Sequence, residues 1–274
     1  MTYKTLMAHL ELGHPNAGLL RVVADLAERF DAEAIGVATC HPMQVVYSEG
    51  YVAGEFIARD RELRDQEVAT AEAEFRAALG PRAGDWRSAI TSDPLADYLA
   101  REARGADLII TGVDRAVSLF DNSRHLVIGD FVMHVGRPML IVPATVEAVS
   151  FDRVLVGWKD ARESRRAIAD ALPLLKQAKK VTIVEIAGED DLAAARGRLD
   201  DVVLWLGRHG IAAEPAAVAS GRDDTHRLRH LAEEYEADLI VAGAYGHSRV
   251  REWVLGGVTR DLLLRAGKCA LVSH

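Results

Sequence analysis

The chain has 274 residues, 49% of them hydrophobic and 27% charged, with a formal net charge of -8. That is long enough for two domains with sizeable cores, and the acidic balance argues against broad attraction to nucleic acid or to anionic membrane surfaces. No apolar run approaches the ~20 residues needed to span a bilayer, and "MTYKTLMAHLELGH" has no apolar core followed by a small-residue cleavage site, so a cytoplasmic protein is expected. The two cysteines, Cys40 and Cys269, lie far apart with no metal-ligand spacing, which fits a reducing compartment.

Taken in chain order, the first apolar run is "KTLMAHLE", followed by a second that ends in "VATCHP" around Cys40. Cys40 reads as a small buried or edge residue rather than a redox centre. Ile57–Leu79, "IARDRELRDQEVATAEAEFRAAL", mixes charge with a sparse apolar stripe and predicts an amphipathic helix. "ADLIITG", Ala106–Gly112, predicts a strand, and "GRPMLIVP", Gly136–Pro143, leads into another.

After "ATVEAVS" the pattern begins again. "RVLVGW" predicts a strand, "ARESRRAIADALPLLKQA" a helix over 161–178, "KVTIVEI" a strand, and "DDLAAARGRLDDVVLWLGRHG" a helix closed by Gly210. "AEPAAVAS" is a weaker strand, "DDTHRLRHLAEEYEA" a helix, "DLIVAG" a strand, and "TRDLLLRAG" a helix leading into the last strand, "CALVSH". Ala237–Gly243, "ADLIVAG", repeats Ala106–Gly112 at a displacement of 131 positions, and "GKCALVSH", from Gly267, repeats "GRPMLIVP", from Gly136, at the same displacement. "KTLMAHLE" near residue 4 matches "RVLVGWKD" near residue 153, so the first half carries extra residues, placed around "SEGYVAGEFIARD". The chain is therefore a tandem duplication, with domains at 1–145 and 150–274. Strands separated by helices need crossover connections, so each domain is expected to be α/β, doubly wound around a mainly parallel sheet.

The stretch after "ADLIVA" is unusual: "GAYGHSRVREWVLGGVTRDLL" runs from Gly243 to Leu263. It follows a strand, so it lies at the carboxyl edge of the sheet, where open α/β folds place their ligands. Its glycines fit two uses. They let backbone N–H groups approach a phosphate, with Gly256, Gly257, Val258 and Thr259 opening a helix, or they make a tight turn and close helix packing.

Gly243, two residues, Gly246, nine residues, Gly256 resembles the nucleotide-binding signature of the universal stress protein family, and the repeat and closing strand resemble its tandem members. The resemblance implies a five-stranded parallel sheet in each domain and ATP or a related adenine nucleotide in some members, none in others. The implied nucleotide-binding set is Gly243, Gly246, His247, Gly256, Gly257, Val258, Thr259 and Lys159, without a metal. Two positions depart from the family pattern: Gly257 stands where the family carries Ser or Thr, and Lys159, with Asp160 beside it, stands where the family carries an Asp that recognises the nucleoside. In the first half Gly112 survives, Arg115 replaces the second glycine, and His125 and Leu126 lie opposite Gly256 and Gly257. Gly129 there reads as a packing glycine, and Arg115 and Arg124 as solvated or paired.

His226 and His230 stand four apart on a predicted helix, a spacing that lets two imidazoles share a metal, but with no third ligand they read as a solvated face. Ser248 beside His247 lacks the strained G-x-S-x-G elbow of a nucleophile. Three function classes follow: a stress-associated regulatory or binding protein with an adenine nucleotide in its second domain and an unidentified protein partner; a nucleotide-independent scaffold; and a slow nucleotide hydrolase. The last is disfavoured by the want of a convincing base, a Walker lysine or an acidic metal cluster, so no enzyme is expected. No nucleic acid or membrane partner is expected. The last strands of the halves, "MLIVP" and "ALVSH", are edge candidates to pair across a pseudo-twofold axis, an intrachain pseudo-dimer that a further homodimer could extend.

Overall fold

The computed structural model describes residues 2–42, 54–113, 123, 124, 126–146, 148–221, 224–244 and 267–274. In the first half β1 (Thr5–Leu10), β2 (Glu33–Cys40), β3 (Ala83–Ile90), β4 (Leu108–Gly112) and β5 (Met139–Val142) alternate with α1 (Ala17–Phe30), α2 (Gly54–Leu79), α3 (Leu95–Glu102) and α4 (Ile128–Val135). The second half has β6 (Arg153–Trp158), α5 (Arg162–Asp170), α6 (Leu172–Leu175), β7 (Lys180–Ala187), α7 (Leu192–Arg208), β8 (Ala213–Ala219), α8 (Asp224–Glu234), β9 (Leu239–Gly243) and β10 (Cys269–Ser273).

Among the described residues ten strands form one sheet in the order β3-β2-β1-β4-β5-β10-β9-β6-β7-β8. Within each half every pairing is parallel, and the order reverses beside β1 and beside β6, the doubly wound arrangement. An antiparallel pairing, the one among the described residues, joins the halves: β5 lies against β10, with Leu140 opposite Leu271. The two last strands thereby cover each other's exposed edges, leaving β3 and β8 as the ends of the sheet. The central strands are buried on both faces and read as unbroken apolar runs; β8, at an end, tolerates Pro215 because its ladder is needed on one side only.

The helix expected over 161–178 is two helices. Pro173 has no N–H to donate to Ala169 and its ring crowds that carbonyl, so α5 stops at Asp170 and α6 begins a new short turn. The amphipathic helix expected from Ile57 starts earlier, at Gly54, and α7 ends as expected near Gly210, whose φ of +77° is left-handed. Forty-two residues separate β2 from β3 where twenty-five separate β7 from β8, so the first half's extra length lies in that interval. The helix expected in "TRDLLLRAG" lies outside the described residues.

Hydrogen bonding corrects the sequence alignment of the halves by one residue. The Asp107 carboxylate accepts the backbone N–H groups of Lys4 and Thr5 at 2.8 and 3.0 Å, and the Asp238 carboxylate accepts that of Arg153 at 2.9 Å. Asp107 N–H donates to Thr5 O, and Asp238 N–H to Arg153 O. Thr5, not Lys4, is therefore the counterpart of Arg153. Two similar apolar runs match almost equally well when slid by one position, but only one register aligns their backbone donors.

Candidate functional site

Where β1, β4 and β5 end, the carboxyl edge of the first half opens into a cleft of about 450 Å³ lined by His9, Glu11, Asn16, Thr111, Gly112 and Arg124, among others. Its floor is set by β1 and β4 lying side by side, which brings His9 Nδ1 to 3.0 Å from Thr111 Oγ1. His9 is buried, and burial pushes its imidazole down to about 4, so it is neutral near pH 7. The hydroxyl can donate to or accept from Nδ1, so either tautomer is accommodated.

The wall between β1 and α1 is held by Asn16. Glu11 N–H donates to Asn16 Oδ1 at 3.0 Å, while Asn16 Nδ2 donates to Glu11 O at 3.1 Å and His14 O at 3.0 Å. The second half repeats the first of these bonds: Lys159 N–H donates to Ser164 Oγ at 3.2 Å. In the corrected register Glu11 is thus the counterpart of Lys159, and the first half keeps a carboxylate at the end of its leading strand. Sequence matching missed Glu11 because the one-residue slip put Leu10 there.

Arg124 is held by Glu67, its Nη2 donating to both carboxylate oxygens at 2.9 and 2.8 Å and its Nε at 3.2 Å. It belongs to an ion pair, as the sequence suggests for a loop arginine. Next to it Arg64, almost fully buried, is fixed by Asp60 and by Ser123 Oγ at 3.0 Å. Cys40 ends β2 beside this group, and burial, opposed by the Arg64 guanidinium, pushes its thiol up; burial alone pushes Cys269 up to about 12. Both thiols are protonated at neutral pH, a poor state for nucleophiles.

Of the residues singled out in the second half, Gly243 and Lys159 are described; Gly246, His247, Gly256, Gly257, Val258 and Thr259 lie outside the described residues, as do Ser248, Arg115 and His125. Lys159 is exposed just past β6, and Asp160 pairs with Arg165. Gly243 ends β9, where a Cβ would stand 2.6 Å from the Glu163 carbonyl carbon and 2.7 Å from Ser164 N. The first turn of α5 therefore packs on the bare strand end, and packing alone requires a glycine. At its counterpart Gly112 a Cβ would meet nothing within 4 Å among the described residues. His230 is exposed and near Glu233, and the side chain of His226 lies outside the described residues. Among the described residues no group of His, Cys, Asp and Glu is placed to hold a metal, and no helix is long and apolar enough to cross a membrane.

No family model matches the sequence, and no curated protein does. Solved structures do match over the whole chain. A universal stress protein from Archaeoglobus fulgidus DSM 4304 superposes with a TM-score of 0.70 at 17% identity, covering 98% of this chain and 97% of that one. A functionally unknown protein from Pseudomonas aeruginosa PAO1 superposes with a TM-score of 0.61 at 12% identity, covering 99% and 92%. The chain therefore has the fold of a tandem universal stress protein, two doubly wound halves in one molecule.

Proposed function

We propose that this chain is a non-catalytic regulatory or binding protein of the stress-protein kind, which takes up ATP or a related adenine nucleotide at the carboxyl edge of its sheet and whose state an unidentified protein partner reads. The observation that supports a ligand there is the glycine-rich stretch that directly follows β9, the strand end at which open α/β folds take their ligands; the 450 Å³ cleft where β1, β4 and β5 end lies in the first half and speaks for the second reading given below. The glycine spacing assigns the phosphates to the second half, on the N–H groups of Gly246, Gly256, Gly257, Val258 and Thr259, with His247 and Lys159 beside them. Gly243 itself lets the end of β9 pack on the first turn of α5. A second reading is favoured by Glu11, an acid at the strand-end position where the resembling family recognises a nucleoside: on that reading the nucleotide enters the first half.

Calorimetric titration of ATP into wild type, Gly246→Arg and Glu11→Lys separates the two. A side chain at position 246 fills the space through which backbone donors reach phosphate, so Gly246→Arg is expected to weaken binding about tenfold or more, about 1.4 kcal/mol or above, with Glu11→Lys near wild type. Loss confined to Glu11→Lys moves the site to the first half, and no binding by wild type leaves a scaffold. Multiple-turnover hydrolysis of ATP is expected to stay at background, and turnover abolished by His247→Ala or Ser248→Ala would overturn the non-catalytic assignment.

A further inference from the structure

The two halves start their first helices at different points. In the register that pairs Asn16 with Ser164, α5 begins opposite His14, whereas α1 begins only at Ala17. The second half therefore has most of an extra turn, and that turn rests on Gly243 and carries the buried Glu163. The first half lacks it, and the cleft of about 450 Å³ lies in its place, lined by Gly112 and by the first residues of α1.

Donors without acceptors face this cleft. The Asn16 side chain, which could cap α1, is turned back to Glu11 and His14 and makes no cap bond. The first intrahelical bond runs from Leu20 N–H to Asn16 O, so the N–H groups of Ala17, Gly18 and Leu19 have no acceptor among the described residues. No acidic residue stands in the first turn. A helix start of this kind carries roughly half a positive charge and favours oxyanions. The second, independent feature is His9, which is 8% exposed and bonds Thr111 through Nδ1. Its Nε2 has no partner among the described residues and is not one of the buried polar atoms sealed from solvent, so it opens into the cleft that His9 lines. Thr111 Oγ1 has no other partner among the described residues; its hydroxyl is satisfied as a donor to Nδ1, which leaves the imidazole proton on Nε2.

We propose that this cleft binds a small organic oxyanion, a carboxylate or a phosphate ester: its head on the N–H groups of Ala17, Gly18 and Leu19, its apolar body against Val113, Leu126 and Ile128, and an oxygen accepting from His9 Nε2–H. The charged side chains do not choose the sign. Arg21 and Arg124 line the cleft with Glu11, and Glu67 holds Arg124, so two bases stand against two acids. The uncapped backbone donors and the imidazole N–H tip the balance toward a ligand rich in acceptors. Where α5 has Glu163 in its first turn, α1 has no acid and leaves the place to a ligand. The glycine loop after β9 takes no part, so the site stands whether or not the second half takes nucleotide.

The test is an NMR titration of the full chain with benzoate, phenyl phosphate and benzylamine. Wild type is expected to bind one equivalent of benzoate or of phenyl phosphate saturably, with the His9 Nε2 resonance moving along the same curve, and to ignore benzylamine. The tighter of the two anions identifies the head as carboxylate or phosphate. Ala17 is exposed, so Ala17→Glu places a carboxylate in the first turn of α1 without disturbing the core. That variant is expected to weaken the anion about tenfold, while Ala17→Gln stays near wild type and neither lowers the thermal midpoint. Adenosine, which has no anionic head, is expected to leave bound benzoate in place. Absence of saturable anion binding by wild type, equal binding by Ala17→Glu, equal binding of benzylamine, or an unmoved His9 resonance would each overturn the assignment. Displacement of benzoate by adenosine would overturn it too, by giving the cleft to a nucleoside.

Discussion

Replacing Gly243 by alanine adds a methyl group 2.6 Å from the Glu163 carbonyl carbon and 2.7 Å from Ser164 N. Both are backbone atoms at the start of α5, so no flexible side chain can swing aside; either α5 or the end of β9 must move. β9 lies between β6 and β10 in the middle of the sheet, where such movement disturbs parallel ladders on both sides. Overpacking of this kind costs about 1–3 kcal/mol, and the rigid partners put Gly243→Ala at the upper end. At about 2–4 °C per kcal/mol for a chain of this size, the thermal midpoint falls by roughly 5–10 °C. Gly112→Ala is the internal control, because among the described residues nothing lies within 4 Å of the carbon added at the same position in the other half. Urea denaturation of both variants beside wild type measures the difference. Equal midpoints for the two variants would refute the packing account and return Gly243 to a role in ligand contact alone.

The remaining predictions concern charge. His9 is neutral in the fold with its value lowered from 6.5 to about 4, so between those values the unfolded chain binds more protons than the folded one and stability falls as pH falls. Wild type should lose up to about 3 kcal/mol relative to His9→Gln between pH 6.5 and 4, measured by urea unfolding across that window, with no further difference at lower pH; parallel curves for the two proteins would count against a buried neutral imidazole. Arg124 and Glu67 are only 16% and 17% exposed, so a double-mutant cycle with Arg124→Ala and Glu67→Ala should give a coupling of about 1 kcal/mol or more. The same cycle at Lys4 and Asp31, 60% and 80% exposed at 3.5 Å, should give a smaller one.

Much of the fold was legible from local pattern. Short apolar runs, helices closed by glycine, and the 131-residue repeat of "ADLI" and of the closing strand each depend on residues near one another in the chain, so periodicity and spacing carry them. Pro173 was legible too, but the long helical pattern around it masked the break. What only the tertiary structure decided involves partners a hundred residues apart. His9 meets Thr111, and the register that makes Glu11 rather than Leu10 the counterpart of Lys159 is set by backbone donors on Asp107 and Asp238. That Gly243 is glycine because α5 rests on it, and that Gly112 lines an open cleft, follows from how closely helices approach the sheet. A sequence records which side chains a segment offers. The distance of approach between segments is settled by packing the whole core at once, and that distance turns a glycine into a packing site or leaves a cleft beside it.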